Sequence, residues 1–161
     1  CHRFADEVVL SAAASGMAQL VVLDAGLDTV CYRRPYPGMR LYEVDVGSTQ
    51  KWKRQSLAGA GVAIPSTLSY VRLGSDRDLA AADFEQAGYD MGASTLVIWL
   101  DSTVFLPENA FVDTLNWLDR HRHRVEFLFS YLQPPMTASP STRDALGPVV
   151  EYFAMNAGTL Y

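Results

Sequence analysis

The stretch Gln19 to Arg34, QLVVLDAGLDTVCYRR, decides how the rest of the chain is read. Leu20, Val21, Val22 and Leu23 form a continuous apolar run. Asp24 and Ala25 lead from it into Gly26 and a second acid, Asp28. A short apolar run that breaks at glycine reads as a buried strand entering a tight turn. In an open α/β sheet the end of such a strand is where ligands sit. Glycine there lets the backbone approach a ligand with no Cβ in between. An ordinary strand and polar loop share this local pattern, so the flanking sequence has to decide.

Working outward, strands and helices alternate. Phe4–Gly16 carries Phe4, Val8, Val9, Ala12 and Ala13 at helical spacing. After the opening strand, Pro35 and Pro37 enforce a loop. Arg40–Val46 (RLYEVDV), Thr67–Leu73 (TLSYVRL), Ser94–Leu100 (STLVIWL) and Arg124–Leu132 read as further strands. Between them, Gly47–Leu57, Asp76–Ala87 and Pro107–His121 read as helices, and Ser141–Asn156 as a last one. Such alternation predicts a parallel sheet with helices on both faces and right-handed crossovers. A switch point beside the first strand predicts the order 3-2-1-4-5.

Asp24, Asp45 and Asp101 each follow or close an apolar strand. In a parallel sheet they converge on one rim, polar and acidic enough for a ribose, an ammonium or a sulfonium. An acid closing the second strand is well placed to accept hydrogen bonds from ribose hydroxyls. No Gly-x-Gly-x-x-Gly follows the first strand, which weighs against a nicotinamide-binding oxidoreductase. Lys51, Lys53 and Arg54 read as a solvated helix face. His121 and His123 are two apart, whereas helical metal pairs want four, so no metal site is expected.

The bulk properties suit one globular domain over residues 1–161, with 49% hydrophobic and 19% charged residues. A net charge of −5 argues against a general nucleic-acid binder. No apolar stretch approaches the ~18 residues of a membrane span. Two cysteines, Cys1 and Cys31, suggest neither a disulfide framework nor a metal pattern, which points to a reducing, cytoplasmic setting. The chain begins at Cys1 rather than Met and is expected to be a portion of a longer protein.

The succession VVLDAGLDT, YEVDVGSTQKWK and STLVIWLDSTVFL, with Arg3 and Asp6 ahead of the first strand, resembles the leucine carboxyl methyltransferase family of S-adenosylmethionine-dependent methyltransferases. The likeness runs from Arg3 to Leu132. It implies a class I methyltransferase (Rossmann-like) fold, whose N-terminal helices and last strands would lie outside this segment. It implies S-adenosylmethionine as cofactor and a small-molecule or peptide-terminal carboxylate or hydroxyl as methyl acceptor. Residue by residue, it assigns Arg3 to the cofactor carboxylate, and Ala25 and Gly26 to the turn beneath the methionine moiety. Asp45 falls to the ribose hydroxyls, Gly74 to the position of an acid near the adenine amino group, and Ser75, Asp24 and Asp101 are further cofactor-binding candidates.

The sequence departs from the family pattern at several of these positions. Asp24 stands where the family has Gly, and Val30 where it has Arg. Gly74 replaces an Asp expected near the adenine amino group, and Leu100-Asp101 replaces Glu-Gly. Each missing charged hydrogen bond removes ~1.5–3 kcal/mol. The segment is therefore expected to bind the cofactor weakly by itself. A domain that has lost cofactor binding and serves as a scaffold is the alternative.

Overall fold

The computed structural model describes residues 2–74, 79, 81–106, 108–131, 139–141 and 144. Its elements, in chain order, are α1 (His2–Ala14), β1 (Gln19–Leu23), α2 (Val30–Arg33), β2 (Arg40–Val46), α3 (Gly47–Gly59), β3 (Leu68–Leu73), α4 (Ala81–Gln86), β4 (Thr95–Trp99), a 3-10 turn (Thr103–Phe105), α5 (Glu108–Asp119) and β5 (Val125–Phe129). The five strands form one sheet in the order β3-β2-β1-β4-β5, parallel throughout. This is the order that the switch-point argument predicts. Residues 142–143 and 145–156 of the expected final helix, and Asp76 at the start of another, lie outside the described residues.

β1 is central and wholly buried. It has no polar face because both faces of the sheet are covered. Leu20 and Val22 point to one face, where α1 contributes Val9 and Ala12, and where Leu41, Leu96 and Ile98 join them. Val21 and Leu23 point to the other, against Phe84 of α4 and Trp117 of α5, with Tyr42, Val44, Val97 and Trp99 from the neighbouring strands. The period of two in β1 thus feeds two separate cores.

Register aligns the strand ends. Leu23 pairs with Val44 of β2 and with Trp99 of β4. Asp24, Asp45 and Leu100 therefore emerge along one edge, the carboxyl edge of the sheet.

Lys53 corrects the expectation of a solvated α3 face. Lys51 and Arg54 are exposed, but Lys53 is only 4% exposed. Its Nζ donates to Glu43 Oε1 at 2.8 Å and to the backbone oxygen of Asp28 at 2.5 Å. Glu43, in mid-β2, points to the α3 side and is 1% exposed. A buried carboxylate needs a partner, and α3 supplies it. The sequence signal for this was the acid inside an apolar strand rather than anything in α3.

Candidate functional site

β1 ends on Asp24, whose φ of 48° lies in the left-handed region. Glycine adopts that conformation without a steric penalty, and aspartate is among the few other residues that tolerate it. The family glycine at this position thus has a backbone reason, and the aspartate here meets the same requirement. Its Oδ2 accepts hydrogen bonds from Trp99 Nε1 at 2.8 Å and Ser102 Oγ at 3.0 Å. Asp101 repeats the pattern at the end of β4, with φ 65°. Leu100-Asp101 replaces the family's Glu-Gly, so both aspartates stand where glycine would be the unstrained choice.

From Asp24 the chain turns through Gly26, at φ 40°. Asp45 Oδ2 accepts from the Gly26 amide at 2.7 Å, and Ala25 N donates to the Val44 oxygen. Asp45 is 7% exposed, and its other oxygen accepts from the Val46 amide. Further along the turn, Asp28 Oδ1 accepts from the Val30 amide at 2.8 Å, which closes the entry to α2. Lys53 holds the Asp28 carbonyl from beneath. The Asp24–Thr29 loop is fixed at both ends.

Above this loop lies a cleft of about 450 Å³. Its floor is Val22–Thr29 from β1 and its loop, and its wall is Ile98 and Leu100–Ser102 beyond β4. His2, Arg33 and Phe105 complete the rim. The volume is within the range of small-molecule sites, and its place at the carboxyl ends of parallel strands is where α/β sheets bind ligands. His2 spans the mouth, with Nε2 at 2.8 Å from Asp101 Oδ2 and Nδ1 at 3.5 Å from Asp28 Oδ2. Among the described residues, the carboxylates Asp24, Asp28 and Asp101 line this space against one guanidinium and one imidazole, so the cleft suits a cationic ligand group.

The sequence-predicted residues divide into three sets. Asp24, Ala25, Gly26 and Asp101 line the cleft together. Asp45, Arg3 and Gly74 are not among the residues that line it. Asp45 is buried and tied to the Gly26 amide. Gly74 is exposed just past β3. The Arg3 side chain is 94% exposed and pairs with Glu7 one turn on. The helix dictates this: Arg3 stands about 160° round α1 from Ala5, at 100° per residue, and Ala5 faces the core. Ser75 lies outside the described residues. Sequence reasoning missed His2, Arg33 and Phe105. His2 had no signal because its partners are distant in the chain.

Beneath the loop, Glu43 and Lys53 join a wider network. Tyr32 donates its hydroxyl to Glu43 Oε2 at 2.9 Å and is 2.8 Å from the Tyr70 hydroxyl. Burial raises the Glu43 carboxyl above its ordinary value, while Lys53 and Tyr32 pull it back down. Burial also raises the Cys31 thiol well above its usual range, so it is no nucleophile. Among the described residues no group of three histidine, cysteine or acidic side chains is placed to hold a metal ion. None of the described helices is long and apolar enough to cross a membrane.

Comparison with known proteins agrees with this geometry. Over 128 residues the chain is 36% identical to a protein of Mycolicibacterium gilvum (strain PYR-GCK), provisionally named an S-adenosyl-L-methionine-dependent methyltransferase; the match covers 76% of this chain and 41% of that protein. A relative from Mycobacterium avium (strain 104) with the same provisional name is 34% identical over 131 residues, 79% of this chain and 44% of its own. The chain spans less than half the length of these curated relatives. Among solved structures, an O-methyltransferase family protein from Burkholderia thailandensis superposes with a TM-score of 0.62 at 16% identity, covering 99% of this chain and 46% of that one. That likeness places the sheet among class I S-adenosylmethionine methyltransferase folds. The family model described as leucine carboxyl methyltransferase matches residues 2–119, from the start of α1 to the end of α5. That is most of the chain and includes every element of the cleft: the chain belongs to the leucine carboxyl methyltransferase family.

Proposed function

We propose that this chain is the cofactor-binding core of an S-adenosylmethionine-dependent O-methyltransferase that acts on a carboxylate or hydroxyl oxygen of a small molecule or peptide terminus. One observation carries the reading. The cleft lies at the shared carboxyl edge of β1 and β4, floored by a glycine-containing turn and walled by acids. A Cβ at Gly26 would meet only the Asp24 oxygen, at 3.6 Å, so the space over this turn is open to a ligand. The residues present fit a cofactor with a positive centre.

That cofactor would supply a methyl group on a positively charged sulfur, and the residues of this chain bind and orient it. Asp24, Asp28 and Asp101 provide negative potential across the cleft. Leu27 and Phe105, both largely exposed on its rim, offer apolar surface to the acceptor side. Alignment and exclusion of water are the main catalytic contributions in such a transfer. A carboxylate acceptor is already nucleophilic and needs no base. For a hydroxyl acceptor Asp101 is the rim acid in place to take the proton.

The family name and the O-methyltransferase description of the Burkholderia neighbour support the oxygen acceptor. A second reading, a domain whose cofactor binding has decayed, draws on Asp45. Asp45, the expected ribose anchor, is not among the residues that line the cleft, and each of its oxygens accepts a backbone amide. Thermal shift separates the two. A rise in Tm with millimolar S-adenosylhomocysteine, and a smaller one with adenosine, supports the methyltransferase core. No shift with either supports the decayed domain. Binding of the isolated segment is expected to be weaker than micromolar.

A further inference from the structure

We infer that Arg33, and not Arg3, is the residue that receives the carboxylate of the cofactor's methionine moiety. The inference rests on the cofactor reading above and names a contact within it.

The cleft is acidic, so an anionic ligand group has few places to go. Among the described residues, the basic side chains that line it are His2 and Arg33. His2 is already placed between Asp101 and Asp28. Arg33 closes α2, is 35% exposed and is held closely by Asp6 and at longer range by Asp28. Its Nη1 donates to Asp6 Oδ2 at 2.8 Å, which ties it to α1. Its Nη2 reaches Asp28 Oδ1 at 3.4 Å, at the outer limit of a hydrogen bond. That second contact is weak, and Asp28 Oδ1 already has a shorter donor in the Val30 amide. The guanidinium is therefore oriented by Asp6 with donors to spare.

A planar guanidinium is a permanent cation with five N–H donors in a fork that matches a carboxylate. A carboxylate that displaces the long Asp28 contact gains a charge-assisted hydrogen bond, and Asp28 keeps its amide. Arg3 offers nothing comparable. It projects from the opposite side of α1 to the buried residues and is engaged by Glu7.

The test compares two ligands that differ in a single group. S-adenosylhomocysteine carries the carboxylate; S-adenosyl-3-thiopropylamine is the same molecule without it. Each is titrated into 15N-labelled chain, and dissociation constants are taken from amide shifts. The unaltered chain is expected to prefer the carboxylate-bearing ligand by about ten-fold or more, the size of a charged hydrogen bond. Arg33→Ala should abolish that preference and leave the affinity for the decarboxylated ligand within about two-fold. Asp6→Asn guards against a purely structural effect. If Arg33 only braces the fold, cutting its link to Asp6 weakens both ligands alike. If it binds the carboxylate, removing the competing anion leaves the affinity for the decarboxylated ligand within about two-fold and preserves or increases the preference. The inference is overturned if Arg33→Ala keeps the preference, if Arg3→Ala is the change that removes it, or if Asp6→Asn weakens both ligands equally. Absence of binding by either ligand to the unaltered chain would overturn the cofactor reading itself.

Discussion

Replacing Lys53 by Met tests how the loop beneath the cleft is held. The change keeps the apolar stem and removes the ammonium that faces Glu43 at 2.8 Å and the Asp28 carbonyl. Glu43 then stays buried between β2 and α3 with only the Tyr32 hydroxyl as a hydrogen-bond donor among these partners. Removing one partner of a buried pair typically costs ~3–5 kcal/mol. Protonation limits that cost. Burial already raises the Glu43 carboxyl from its ordinary 4.5, and loss of Lys53 raises it further. In the unfolded chain the group ionises above its ordinary value, so folding of the variant takes up a proton. Proton uptake on folding costs about 1.36 kcal/mol per pH unit above the ordinary value. The limit is therefore about 3.4 kcal/mol at pH 7 and under about 1 kcal/mol at pH 5. Urea unfolding at both pH values measures it, with Lys53→Met/Glu43→Gln as the partner variant. The expected outcome is a loss of about 3 kcal/mol at pH 7 that shrinks on acidification and is largely recovered in the double variant. A loss below about 1 kcal/mol at pH 7, or one independent of pH, would refute the reasoning.

Other expectations can be checked alongside. His121 is lowered by burial, with Nε2 against the Tyr89 hydroxyl. Its contribution to stability is present above the ordinary value of 6.5 and fades as the pH falls below it; His121→Gln should flatten the denaturation midpoint between pH 7.5 and 5.5, and an unchanged slope counts against it. Trp99→Phe removes the Nε1 donor to Asp24 and should cost about 1–3 kcal/mol in chemical denaturation, whereas no change would mean that the contact is replaced by solvent. Asp24→Gly with Leu100→Glu restores the family pattern at two positions on the cleft and should tighten S-adenosylhomocysteine binding by isothermal titration. Adding Gly74→Asp, away from the cleft, should change nothing further, and a large gain from that third change would place the adenine elsewhere.

The architecture was legible because short strand-forming runs alternate with helical spacing, the first of them breaking at Asp24 and Gly26. Gln19–Leu23 and Arg40–Val46 carry their boundaries in the sequence itself. The positions of Asp24, Gly26 and Asp101 followed from the parallel sheet, since successive strands deliver their last residues to one edge. What remained hidden depends on side-chain direction. Lys53 looks like its neighbours Lys51 and Arg54, and only the facing Glu43, ten residues back and in another element, distinguishes it. Asp45 was read as well placed for a ribose, and its bond to the Gly26 amide, nineteen residues earlier, is set by side-chain direction that the sequence does not show. Arg3 stands on the solvent side of α1, whereas Arg33, at the end of α2, lines the cleft. His2 reaches across ninety-nine residues to Asp101, a distance that no local pattern encodes.

The claim that the carboxyl edge of β1 and β4 is a cofactor site is tested most directly by mapping amide shifts. S-adenosylhomocysteine is titrated into the 15N-labelled chain and the responding residues are assigned. The expected result is a saturable set of shifts concentrated in residues 22–29 and 98–102, with His2 and Arg33 at its border. Shifts concentrated instead at the opposite edge, around Arg34–Gly38 and Pro65–Thr67 where a second cavity lies, or no saturable shifts at all, would contradict it.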